Sequence, residues 1–161
     1  DRSADLALVG PKPSGSVAAG ELNWVQLTTQ RLALAVPDDH KWAGRKSISI
    51  AEAEDEPFIA MLEGYGTRML LDDLTAEAGF WPRLVFESME LTTLAGLVSA
   101  GLGVAILPLG DPNLVIPGIT MLPLTETRER ELGIVWLPGT SPAPAADAFR
   151  DFVTKRLSGS A

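Results

Sequence analysis

Glu90-Leu-Thr-Thr-Leu-Ala-Gly-Leu-Val-Ser-Ala-Gly-Leu-Gly-Val-Ala-Ile-Leu-Pro108 is the stretch that decides the fold. Leu91, Leu94, Leu97 and Val98 recur at helical spacing and make one apolar stripe, which Gly101 ends. Val104 to Leu107 follow as an uninterrupted apolar run, closed by Pro108, whose ring cannot donate to a sheet ladder. A helix that feeds into a strand apolar on both faces is the repeating unit of an α/β protein. The same alternation precedes it. Pro57 to Met61 is a run of strand length, and Glu63-Gly64-Tyr65-Gly66 is a loop. Thr67 then stands as cap of a helix over Arg68 to Ala78, with Leu70, Leu71, Leu74 and Ala78 on one face and Gly79 as its left-handed stop. Arg83 to Phe86 is the next strand, and Ser88 or its neighbour caps the helix after it.

Toward the ends of the chain the signals are simpler. Ala4 to Gly10 reads as a buried strand, Pro11 to Gly20 as a loop, and Arg31 to Val36 as a strand stopped at Pro37. Residues 37 to 46 form a polar connector, and Ser49 caps a short helix over Ile50 to Glu54. Thr120 to Leu122 is a strand, Thr125 to Glu131 a charged hairpin or loop, and Leu132 to Leu137 an apolar run ended by Pro138. Pro144 to Leu157 is amphipathic, with Phe149, Phe152, Val153 and Leu157 expected to face inward. The fold class is therefore α/β, with a parallel or mixed sheet covered on both sides. A chain opening directly on a core strand is expected to be a piece of something longer.

Composition narrows the chemistry. The chain has 161 residues, 46% of them apolar and 21% charged, enough for a packed core in one domain or two small lobes. There is no cysteine, which removes disulfides, thiolate metal sites and cysteine nucleophiles together. His40 is the single histidine, so sites needing two imidazoles are excluded. Thirteen Lys and Arg against twenty-one Asp and Glu give a net charge of −8, which repels phosphate backbones. No secretory pattern opens the chain, and the most apolar window, Leu94 to Leu109, is too short and glycine-interrupted to span a bilayer. A cytoplasmic, acidic globular protein is the expectation.

Catalysis finds little support. No Gly-x-Ser-x-Gly elbow is present, and His40 sits in a Pro-Asp-Asp-His-Lys connector, read as a solvated loop residue. Asp38-Asp39 and Asp72-Asp73 lack the alternating oxygens of a calcium loop, and helical neighbours such as Asp72 and Asp73 point about 100° apart. No metal and no cofactor are expected. Gly101-x-Gly103 runs from helix to strand, the wrong order for a phosphate cradle, and reads as a helix stop with tight strand entry. Gly64-x-Gly66 precedes a helix, where free backbone N–H groups and a positive dipole end would suit an anionic group, unless it is a plain glycine loop. A second such helix start lies at Glu87-Ser88-Met89-Glu90. There Glu87 and Glu90 either complement the helix dipole or line a small-molecule cleft. Trp24, Trp42, Trp81 and Trp136 show no stacking spacing and read as core or interface residues.

Several segments resemble the effector-binding domain of LysR-type transcriptional regulators. They are Arg31-Leu-Ala-Leu-Ala-Val-Pro-Asp-Asp-His40, Asp55-Glu-Pro-Phe-Ile59, Ala78-Gly-Phe-Trp-Pro82 and, most specifically, the Gly-Leu-Val-x-Ala-Gly-x-Gly-Val run ending at Pro108. The resemblance covers the chain from about Ala4 to Leu157. It implies a fold like type 2 periplasmic binding proteins, two α/β lobes joined by two crossover strands with an inducer in the cleft. Lobe II would span 38–134; 1–37 and 135–161 would form an incomplete lobe I, lacking its first strand–helix–strand–helix.

Position by position, the resemblance implies ligand contacts from Gly10 and Pro11, Ile59 and Met61, the Tyr65-Gly66-Thr67-Arg68 loop, Ser88, Met89 and Glu90, and Pro108. The expected ligand is a small organic anion, with Thr67, Arg68 and backbone N–H groups as its lobe II partners. DNA would be reached only through an N-terminal winged helix-turn-helix absent from this sequence. The alternative is a solute-binding protein of a transporter with the same fold, and a small enzyme ranks third. Uncovered apolar faces at Leu6, Leu8, Leu32, Leu34 and Val135 would lead to a homo-oligomer through lobe I. No membrane partner is expected.

Overall fold

The computed structural model describes residues 4–12, 22–139 and 143–157. The loop expected over Pro11 to Gly20 lies outside the described residues from Pro13 on. The chain forms two compact units, one from Asp1–Gln30 with Glu131–Ala161 and the other from Arg31–Arg130. Residues 32–37 pair with strands of the second unit.

In the first unit, β1 (Ala7–Val9) pairs antiparallel with β7 (Glu129–Trp136), Leu8 opposite Ile134. A side chain at Gly133 would collide with the Trp24 indole, so glycine is what lets that ring approach the strand closely. Trp24 belongs to β2 (Asn23–Pro37), which starts well before the expected Arg31. Helix α3 spans Pro144–Leu157 as read from sequence, but its orientation is a correction. None of its residues is buried; Phe149, Phe152 and Leu157 are exposed and Val153 half-buried. The apolar stripe is real, and the described residues do not cover it.

The second unit is built in layers. Phe58, Leu34 and Ile106 pack in one core with Leu70, Leu71 and Leu74 of α1 (Gly66–Ala78). Their chain neighbours Ile59, Ala35 and Leu107 pack in the other with Leu94, Ala95 and Val98 of α2 (Leu91–Ser99). Alternate residues of the same strands thus enter opposite cores, the period-two signature of strands buried on both faces. Leu32 and Leu34, expected to be partly uncovered, are buried here between β5 (Ala105–Pro108) and β6 (Ile119–Pro123), both antiparallel to β2. Val135 is buried as well, in the first unit; Leu6 is half-buried, and Leu8, 63% exposed, meets the expectation.

β3 (Pro57–Met61) runs parallel to β4 (Arg83–Ser88), so the pairing is mixed. On its other side the β3 backbone exchanges bonds with Val104, Ile59 N to Val104 O and Val104 N to Pro57 O, both 2.8 Å. A Cβ at Gly103 would stand 2.5 Å from the Pro57 carbonyl oxygen, which accounts for glycine at this tight strand entry. Gly79 adopts φ 89° and closes α1 as its left-handed stop. Ser49 caps the 3₁₀ turn Ile50–Ala53 reciprocally with Glu52, and Glu126 accepts from Ser49 Oγ and Ile50 N.

Candidate functional site

Because β3 and β4 are parallel, their C-terminal ends lie side by side. Met61 is level with Ser88, and the Leu62 amide donates to the Ser88 carbonyl at 3.1 Å. Each end passes through a short loop into a helix, β3 into α1 and β4 into α2. The turns at 64–68 and 87–90 are therefore brought together at one edge of the unit, where open α/β sheets bind ligands.

The first backbone bond inside α1 is Met69 N to Tyr65 O, 3.0 Å, so the Gly66, Thr67 and Arg68 amides precede any intrahelical acceptor. In α2 the first donors to Glu90 O are Thr93 and Leu94, leaving the Leu91 and Thr92 amides ahead of them. Each helix start carries roughly half a positive charge. Two capping expectations are corrected. Tyr65, not Thr67, is the N-cap of α1, in extended conformation and without a side-chain bond. Glu90, not Ser88, is the N-cap of α2; Ser88 Oγ instead accepts from the Glu90 amide at 3.2 Å. Thr67 sits in the first turn of α1, 5% exposed, and among the described residues nothing hydrogen-bonds its hydroxyl.

Arg68 sits among acidic partners. Its Nε donates to both oxygens of Asp72 at 3.0 and 3.1 Å, and its Nη1 to Glu87 Oε1 at 2.5 Å and to the Met61 carbonyl at 3.2 Å. Glu63 stands 3.9 Å from Nη2. Burial works against the buried guanidinium's charge, yet Asp72 and Glu87 outweigh it and raise its pKa. Two of the three guanidinium nitrogens are thus engaged in tying α1 to the ends of β3 and β4.

The remaining expected positions divide. Ile59 and Met61 are buried in the core beneath α2, whereas Tyr65 and Met89 are open to solvent. Pro108, at the end of β5, lines an apolar groove of about 340 Å³ with Leu109, Leu114, Ile116, Ile119 and Met121. Sequence reading missed this groove, since its apolar residues are interleaved with Gly110, Asp111 and Pro112 and show no period. Gly10 and Pro11 follow β1 in the first unit, where a Cβ at Gly10 would meet the Glu131 carbonyl oxygen at 2.5 Å. His40, read as solvated, is half-buried: its ring packs on Trp42 at 4.7 Å between centroids, and Nε2 lies 3.7 Å from Glu56. Asp72 and Asp73 do point apart, Asp72 to Arg68 and Asp73 to Arg128.

Layered strands with two helix starts at one edge define an α/β ligand-binding module. The model of the LysR substrate binding domain matches residues 1–158, and the chain belongs to that family. Among its relatives are the uncharacterized HTH-type transcriptional regulator YybE of Bacillus subtilis (strain 168), 36% identical over 143 residues, covering 85% of this chain and 47% of that one. The transcriptional dual regulator GltC of the same organism is 32% identical over 161 residues, covering 98% and 52%. The chain thus spans about half the length of the curated relatives it matches. The solved effector binding domain of QuiR in complex with shikimate superposes with TM-score 0.85 at 27% identity, over 97% of this chain and 73% of that one. The BenM effector binding domain with its effector benzoate shares the fold, at TM-score 0.76 and 15% identity over 96% and 70%. These relatives are regulators, and the transporter alternative is set aside. Among the described residues no helix is long and apolar enough to cross a membrane.

Proposed function

We propose that the chain senses a small organic anion at the joint start of α1 and α2. One observation carries this reading: paired strand ends present amides without intrahelical acceptors, with Thr67 in the first turn of α1 beside them. Backbone N–H groups and Thr67 supply the hydrogen bonds. Tyr65, Gly66, Ser88, Met89 and Glu90 are the further contacts proposed at these two turns, with Ile59, Met61 and Pro108 as the rest of the second unit's share. Arg68 acts as a positioning residue that holds the edge in shape. The shikimate and benzoate named with two neighbours are both carboxylates, which supports the ligand class.

Binding, not catalysis, is the proposed work. An effector that prefers one arrangement of a cytoplasmic homo-oligomeric regulator shifts its population and so its hold on DNA, which a helix-turn-helix part would contact. Isothermal titration against small carboxylates tests the reading. Thr67→Ala should weaken the bound acid about tenfold, the effect of one hydrogen bond to a charged group. Binding of neutral compounds with indifference to every anion would sink it.

A further inference from the structure

The groove past the end of β5 is built differently from the helix starts. Phe58 and Val104 pair in parallel, so β5 ends at the same edge of the unit as β3 and β4. Its last residue, Pro108, forms one wall of the groove, and the chain then makes the short 3₁₀ turn Pro112–Leu114 before entering β6. Leu114 is 5% exposed and belongs to the core beneath α2. Ile116, Ile119 and Met121 pack against that core from outside and stay half-covered. These apolar side chains line a hollow of about 340 Å³. Asp111 is the one charged residue on the lining, and its Oδ1 is turned to its own loop, accepting from the Asn113 amide at 2.9 Å and from Asn113 Nδ2 at 3.1 Å.

We infer that this groove is the bed for the apolar body of the effector, a ring or a branched hydrocarbon. The inference rests on the ligand reading above, in which Pro108 is one contact, and it narrows the ligand from any small organic anion to an amphipathic one. Size selects the occupant. A cavity of about 150 Å³ admits benzene, so 340 Å³ has room for one ring with substituents and falls within the range of small-molecule sites. A second copy of the chain would need a broad contact of about 800 Å² per partner, which a hollow of this volume does not supply. Charge selects the orientation. The Asp111 carboxylate repels an anionic end, so the acid group of the ligand points away from it and the hydrocarbon fills the groove. Covering the half-open faces of Ile116, Ile119 and Met121 then supplies the gain in affinity.

The test is NMR of the full chain with labelled Ile, Leu and Met methyls, titrated with acetate, cyclohexanecarboxylate and cyclohexanol. Each CH₂ taken from water is worth about fourfold in affinity, so covering about three of the ring's CH₂ groups should make cyclohexanecarboxylate bind about sixtyfold more tightly than acetate. The Ile116, Ile119 and Met121 methyls should shift with the ring acid, and Ile119→Thr should weaken its binding about tenfold. A ring acid that binds without moving these methyls overturns the groove and leaves the anion site standing. Cyclohexanol that moves the same methyls and binds as tightly as the ring acid supports the groove and overturns the anion reading. Silence of the groove methyls toward both ring compounds overturns the inference. Methyl shifts that follow protein concentration with no ligand added give the groove to a second copy and overturn it as well.

Discussion

Helices α1 and α3 are nearly equal in length, 13 and 14 residues, and both carry an apolar stripe, yet they live in opposite environments. α1 buries Leu70, Leu71 and Leu74 against the strands of its unit and is pinned at its first turn by Arg68. α3 buries nothing; Phe152 is 57% exposed, and Arg150 lies over Trp136 as a surface contact. Amphipathicity specifies which face of a helix seeks cover, but the covering surface must be supplied from elsewhere. A covered stripe stabilises the unit it faces, and an uncovered one is a surface awaiting a partner.

The contrast can be broken most directly by truncating each stripe. Leu71→Ala should cost about 3 kcal/mol of unfolding free energy through lost burial and a residual cavity, whereas Phe152→Ala should stay within about 0.5 kcal/mol. Urea titration of both variants measures the difference, and equal losses would show that α3 is covered in solution. A smaller effect separates the two arginines. Arg68→Met should destabilise by about 2 kcal/mol, a figure already reduced because Asp72 and Glu87 are partly solvated, while Arg150→Met should be near neutral. Circular-dichroism melts of the two variants test the ordering.

The smallest effect concerns charge alone, at the capped turn Ile50–Ala53. Bonds from the Arg45 side chain and the Ser49 amide hold the Glu52 carboxyl below the ordinary glutamate range. A carboxyl whose pKa is lower folded than unfolded contributes stability above its unfolded value and loses it as pH falls through the folded one. An NMR titration should place the Glu52 midpoint low, and Arg45→Met should move it upward.

Much of this was legible in the sequence, for stated reasons. Strands buried on both faces read as unbroken apolar runs, and helices between them keep their period, so β3, α1, α2, β5 and α3 stood out. The first half of β2 did not, because only Leu27 of residues 23–30 is buried and polar residues interrupt its few apolar ones. Arg68 was legible as a cation at a helix start, but its partner Glu87 lies 19 residues away and meets it only through strand pairing. Thr67 looked like a cap because hydroxyl residues favour that position; the chain placed Tyr65 there and left the hydroxyl unbonded.

The pairing of β3 with β4 slips between Phe58 and Ile59, so that Phe58 faces Leu84 and Ile59 faces Phe86, with Val85 left over. Strand side chains alternate, so one surplus residue turns everything beyond it to the opposite face. That single slip sets which acidic group arrives beside the guanidinium. Deleting one residue from this short segment would therefore rewire the electrostatics of the edge without altering any of its charged amino acids.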